Sequence, residues 1–190
     1  MVLKDADLPF GAEGSPHTQD ASDREFDRRF KACSGITEQG STADVFGDDF
    51  DMNGASVGSE AMFFRTAALA HADFSTINNP RAIPCATRIL AELLKAELIK
   101  QGIKGVTLSG VSLVRVAAPH YGDESAGLRL TGTLSGSGRS FRFFQVVLVA
   151  RKARAEVTGS FFNIGAAFPA ALERSLFGKL GARLVRDGGV

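Results

Sequence analysis

The sequence predicts an α+β domain: an antiparallel sheet of five or six strands with helices packed on it. Three observations carry this. Between residues 106 and 161 four apolar runs of strand length follow one another, joined by turns too short for a helical crossover. Apolar residues in steps of three and four occur in separate stretches, around Phe26, Leu90 and Leu176. Asn53-Gly54 sits between two further strand-like runs, a hairpin signal because both residues tolerate positive φ.

The elements follow in chain order. Residues 1–21 hold Pro9, Gly11, Gly14 and Pro16 without a sustained period and read as an irregular lead-in to a single domain over 22–187. Ser22, followed by Asp23 and Glu25, reads as a helix N-cap with acids where the helix dipole favours them. Phe26, Phe30 and Cys33 then mark one face of a short helix ending near Gly35. Val45, Phe46 and Phe50 lead into the Asn53-Gly54 turn, and Val57, Ala61 and Phe63 lead out of it. Thr66 to Ile77 is Ala-rich and helical, stopped by Asn78-Asn79-Pro80. Pro84 opens a longer helix whose apolar arc is Ile89, Leu90, Leu93, Leu94 and Leu98.

Val106 to Val116 forms a strand in which Gly110 marks a bulge. Leu128, Leu130 and Leu134 alternate with Arg129, Thr131 and Thr133, the mark of a half-exposed strand. Phe141 to Ala150 is apolar on both parities, which places it centrally, covered on both faces. Ala155, Val157 and Phe161 form the last strand, and Phe168 to Leu184 repeats an apolar residue every four positions, a C-terminal helix. Arg139, Arg142, Arg151, Lys152 and Arg154 gather near hairpin ends and read as solvated turn charges.

Composition excludes several classes. The 190 residues are 44% hydrophobic and 23% charged, which supports a folded core. Twenty-two basic against 21 acidic residues leave a net charge of +1, so no basic excess is available for nucleic acid. No apolar run has the length of a membrane span, and the start lacks the pattern of a signal peptide, so a leader is either removed or never present.

Cys33 and Cys85 fall at the end of one helix and the start of another. Two cysteines do not make a zinc site, and redox pairs usually lie close in sequence. The preferred reading is a structural disulfide pinning the two helices, which implies an oxidising compartment; two buried free thiols are the alternative.

The residues also carry a resemblance. Asp7-Leu8-Pro9, Cys33-Ser34-Gly35, Phe63-Phe64-Arg65-Thr66, Pro84-Cys85 opening a long helix, and Gly122-Asp123-Glu124-Ser125-Ala126 before an Arg-containing strand together resemble the extracytoplasmic sensor-like domains of actinobacteria. These occur in secreted proteins and lipoproteins and as the outer parts of some mycobacterial serine/threonine kinases. The resemblance spans about residues 7 to 186 and implies a PsbP/Mog1-like α-β-α sandwich. It also implies an extracytoplasmic, non-enzymatic domain binding a small-molecule, lipidic or protein ligand of the cell envelope, with no cofactor and no catalytic set to carry over. The kinase sensors have a second cysteine pair, absent here.

Candidate site residues follow from position and rarity. The loop Pro119 to Ser125 joins two strands and holds the only tyrosine, a histidine and two acids; Arg65, His120, Tyr121, Asp123 and Glu124 are the candidates to orient a ligand, in a groove between sheet and helix lined by Phe and Leu. The competing reading of this loop is a solvated turn with an Asx-type bond from Asp123. Ser125, His120 and Asp123 have the residue types of a hydrolase trio but lie within six residues of one another, whereas triads draw on separate elements. Asp49, Asp51, Asn53 and Glu60 match a calcium-loop pattern, against Ser56 at a normally aliphatic position and the competing hairpin. Three functions are therefore in contention: an envelope binding domain first, then a cytosolic interaction module of Mog1 type, then a hydrolase using His120.

Overall fold

The computed structural model describes residues 1–37 and 40–188. It is an α+β fold in which one sheet of eight strands separates two helical layers. The strands are β1 (Glu13–Ser15), β2 (Ser41–Phe46), β3 (Asp49–Met52), β4 (Ala55–Phe64), β5 (Thr107–Val116), β6 (Glu124–Gly136), β7 (Arg139–Lys152) and β8 (Ala155–Ile164). The helices are α1 (Ala21–Ser34), α2 (Ala67–Phe74), α3 (Ala82–Lys100) and α4 (Ala170–Asp187). The sheet runs β1-β3-β4-β8-β7-β6-β5, with β2 also paired to β4, and all of these pairings are antiparallel. β7 is interior, as its two apolar parities require.

The count exceeds the expected five or six strands for two local reasons. The run before the hairpin is split: Phe46 faces Glu60 but Phe50 faces Val57, so one extra residue is accommodated around Gly47, whose N–H bonds Ser59 O at 2.8 Å. The lead-in also contributes β1, paired to β3. Its three residues are exposed, so no alternation announces it.

The beginning of the chain is likewise part of the core, contrary to the reading of residues 1–21 as an irregular lead-in. Leu3 is 2% exposed, and its N–H donates to Ser59 Oγ at 2.9 Å. A side chain at position 47 would collide with that same hydroxyl, which is why glycine stands there. Arg183 on α4 donates to Val2 O at 2.7 Å and pairs with Asp7, and Lys179 donates to Asp7 O at 2.6 Å.

The helix boundaries show one correction. Asp20, not Ser22, caps α1: its carboxylate accepts from the N–H groups of Ser22 and Asp23, while Asp23 returns a bond to Asp20 N. Gly35 ends the helix at φ 70°. The Asn53-Gly54 turn has φ values of 57° and 91°, as a two-residue hairpin requires, and Gly110 at φ 60° accompanies the register shift in β5.

The two faces of the sheet are packed unequally. On one, Phe177, Leu176, Leu180 and Leu184 of α4 meet Leu148, Val157 and Phe161, all at most 1% exposed. Burying each of these side chains contributes about 1.5–3 kcal/mol. On the other, Leu108, Leu130 and Phe143 form a small buried cluster against half-covered Leu90, Leu94 and Leu98 of α3. No helix among the described residues is long and apolar enough to cross a membrane.

Candidate functional site

The loop singled out by composition is a structural corner. Tyr121 lies over Gly181 of α4 and meets Phe177 edge-on, ring centroids 5.5 Å apart. Asp123 accepts from Ala153 N at 2.8 Å, and Glu124 accepts from Arg151 Nε at 2.6 Å and pairs with His71 on α2 at 2.9 Å. Burial raises the Glu124 carboxyl, but the bonds from His71 and Arg151 outweigh it and hold the group below the ordinary carboxylate range. Arg151 is not a solvated turn charge: it is 8% exposed and spans Asp123, Glu124 and Ala153 O. Arg65 and His120 are exposed and make no side-chain hydrogen bond among the described residues.

The hydrolase trio is not assembled. Ser125 Oγ is bonded to Tyr121 N at 2.9 Å and to Tyr121 O at 3.1 Å, and Asp123 is bonded to Ala153, so neither pairs with His120. The calcium loop is likewise not formed. Asp49 and Asp51 lie in β3 and Glu60 in the middle of β4, along a hairpin ladder that keeps the oxygens from wrapping a common centre. Asp49 pairs with His17 at 2.9 Å, Asp51 accepts from Asn53 N, and no group of three or more His, Cys, Asp or Glu among the described residues is arranged for a metal.

Cys33 and Cys85 are joined, with Cα atoms 5.8 Å apart, which settles the choice between disulfide and free thiols. The bond ties the last turn of α1 to the first turn of α3. Arg88 donates to Cys33 Sγ at 3.1 Å and Arg29 pairs with Glu92, two further links from α1 to α3. Ser34 is the only buried residue of α1. Phe26 and Phe30, stacked at 5.6 Å, project from it over open space above the sheet.

That space is a cleft in adjoining parts. An apolar arm of about 340 Å³ lies between Phe26, Phe30, Ile83 and Leu90 above and Leu113, Leu128, Leu130 and Val147 below. A second apolar recess of about 200 Å³ continues under Leu94 and Leu98, sharing Leu130 and Gln145 with the first. Gln145 also borders a chamber of about 470 Å³ whose polar groups include Glu60, Thr158 and Ser160. Beyond Glu60 a wider, acid-rimmed opening of about 600 Å³ separates α1 from β2.

Two carboxyl groups on this face of the sheet are perturbed. Burial, helped by Asp44, pushes Glu60 up to about 7. Burial, helped by Asp73, pushes Glu156 up to about 8; it is 1% exposed, and its Oε1 has no hydrogen-bond partner. The cleft-lining Gln145 escaped the sequence reading, although an amide in the middle of a strand apolar on both parities was a visible signal. Glu60 was noticed only as a calcium ligand.

No protein-family model matches the chain, and no curated protein matches it. Among solved structures it is similar to the crystal structure of the extracellular domain of PknH from Mycobacterium tuberculosis, at 10% identity and a TM-score of 0.36, over 94% of this chain and 82% of that one. A likeness of that strength assigns neither a family nor a ligand.

Proposed function

We propose that this chain is a non-enzymatic binding domain of sensor type, working outside the cytoplasm in the cell envelope, that takes a small apolar or lipidic ligand in the cleft between the sheet and the disulfide-tied helices. The observation that carries the reading is the cleft: Phe26 and Phe30 stand off an apolar floor with about 340 Å³ between them. Sites of this kind, concave and mostly apolar with a few convergent polar groups, are where small ligands bind. The Cys33–Cys85 disulfide supports the compartment, because such bonds persist where surroundings are oxidising. The resemblance in sequence to extracytoplasmic sensor-like domains agrees with it. The ligand moves from the 119–125 loop, whose two acids are already held by Arg151, to the cleft.

The chain contains no tryptophan, so Ile83→Trp places a single reporter at the cleft roof. The folded variant is expected to bind Nile red and to transfer tryptophan emission to it. Native protein that binds no Nile red, with its circular dichroism intact, refutes the cleft reading. Alkylation and intact mass on never-reduced protein from an oxidising compartment test the compartment separately; a disulfide shows no free thiol.

A further inference from the structure

The polar groups of the cleft gather at one end. Glu60 on β4, Thr158 and Ser160 on β8, and Gln145 on β7 form a diagonal across three adjacent strands and face the same chamber. Gln145 Nε2 donates to Ser160 Oγ at 2.9 Å, and its amide oxygen accepts no bond from the protein. The Glu60 side chain makes no hydrogen bond among the described residues. No Lys or Arg lines this chamber; its charged members are Glu60 and Asp49, and His17 is engaged with Asp49. The stripe therefore offers hydroxyl and amide groups, which donate and accept, beside a carboxyl group and no cation, and the apolar arm adjoins it at Gln145.

An anionic head group placed there would lose its water beside Glu60 and gain no counter-charge. A head that donates hydrogen bonds meets an acceptor at each position of the stripe, and those made to the carboxylate are the stronger ones. We propose that the cleft takes a single-chain amphiphile whose head group donates hydrogen bonds and carries no negative charge, with the head at Glu60 and Gln145 and the chain under Phe26 and Phe30. This rests on the cleft reading above and adds the class of ligand. An ammonium and a polyol share that chemistry; a fatty acid and an alkyl phosphate lack it.

The test compares dodecylamine, monolaurin and laurate, which differ only in their heads, as competitors of Nile red on the full chain below their micellar concentrations at mildly alkaline pH. Dodecylamine and monolaurin are expected to displace the dye at concentrations about tenfold lower than laurate, the worth of one charge-assisted bond. Glu60→Gln keeps the side chain's size, and it is expected to weaken dodecylamine about tenfold and monolaurin by a smaller factor, since a hydroxyl can still donate to the amide oxygen. Gln145→Leu is expected to weaken monolaurin. Laurate that competes as well as dodecylamine, or a Glu60→Gln protein with the wild-type preference of amine over laurate, overturns the head-group assignment and leaves the cleft standing. A dye that binds but that none of the three displaces overturns the amphiphile; a dye that does not bind at all overturns the cleft itself.

Discussion

Removing the disulfide tests how the cleft is held open. Cys33 and Cys85 are 52 residues apart in sequence, and on the chain-entropy account closing a loop of that length stabilises the fold by about 4 kcal/mol. That figure is a ceiling for the Cys33→Ala, Cys85→Ala protein, because α1 has another way to respond. The helix has 14 residues and buries only Ser34, and its Arg29–Glu92 pair is partly exposed, worth about 0.2–1 kcal/mol. A helix of that length on its own is marginal in water. Without the bond, α1 is therefore expected to open locally while the sheet and α4 remain folded. Native-state hydrogen exchange reads this directly: amides of α1 lose nearly all protection, those of α4 keep theirs, and Nile red affinity falls with the loss of Phe26 and Phe30. The reasoning is refuted if, in the double variant, α1 amides stay as protected as those of α4, for then apolar packing and not the disulfide holds the roof.

Three further outcomes follow from single side chains. Glu156 has a folded pKa raised from 4.5 to about 8, so the native state keeps a proton that the unfolded chain has released; stability is full below 4.5 and declines as pH rises to about 8. Glu156→Gln should flatten that decline in urea titrations across the same window and add about 1–3 kcal/mol at neutral pH; an unchanged slope shows that Glu156 ionises in the folded protein at its ordinary pH. Gly181→Ala improves helix propensity by about 1 kcal/mol, yet a methyl group there overlaps the Tyr121 ring, so the net effect expected in thermal unfolding is a loss of about 1–3 kcal/mol, relieved in part by adding Tyr121→Ala. Asp7→Asn, which removes the charge facing Arg183 and Lys179, should cost about 1 kcal/mol and expose the first residues to proteolysis; a digestion rate equal to wild type would show that Leu3 alone secures them.

The meander β5 to β8 was legible because each strand exposes its parity in the letters, and the turns between its last three strands leave no room for a crossover. The four-residue repeat of α4 was legible for the same reason: Leu176, Leu180 and Leu184 are all fully buried. β1 was not, since a three-residue edge strand of exposed residues is specified by its pairing with β3 and not by its own side chains. The role of the 120–124 loop acids was hidden by a similar gap. Rarity and loop position drew attention to residues 120–124, and local spacing gave no sign that Arg151, near the end of β7, would take up both acids. The disulfide pairing could be inferred, but not that α1 would stand away from the sheet, because a gap between layers leaves no periodicity in either layer.

The unequal packing of the two sheet faces divides the molecule by tolerance to change. Side chains against α4 interlock, so enlarging or trimming Phe161, Leu180 or Leu148 strains or hollows the part on which the whole sheet depends. Those on and under α1 border open space and are half-covered, so Phe26, Leu128 or Val147 can change volume with little loss of fold. Under the binding role proposed for the cleft, selectivity and stability are thereby written into different residues, and a lineage carrying this fold can retune the cleft by substitutions that leave the rest of the protein undisturbed.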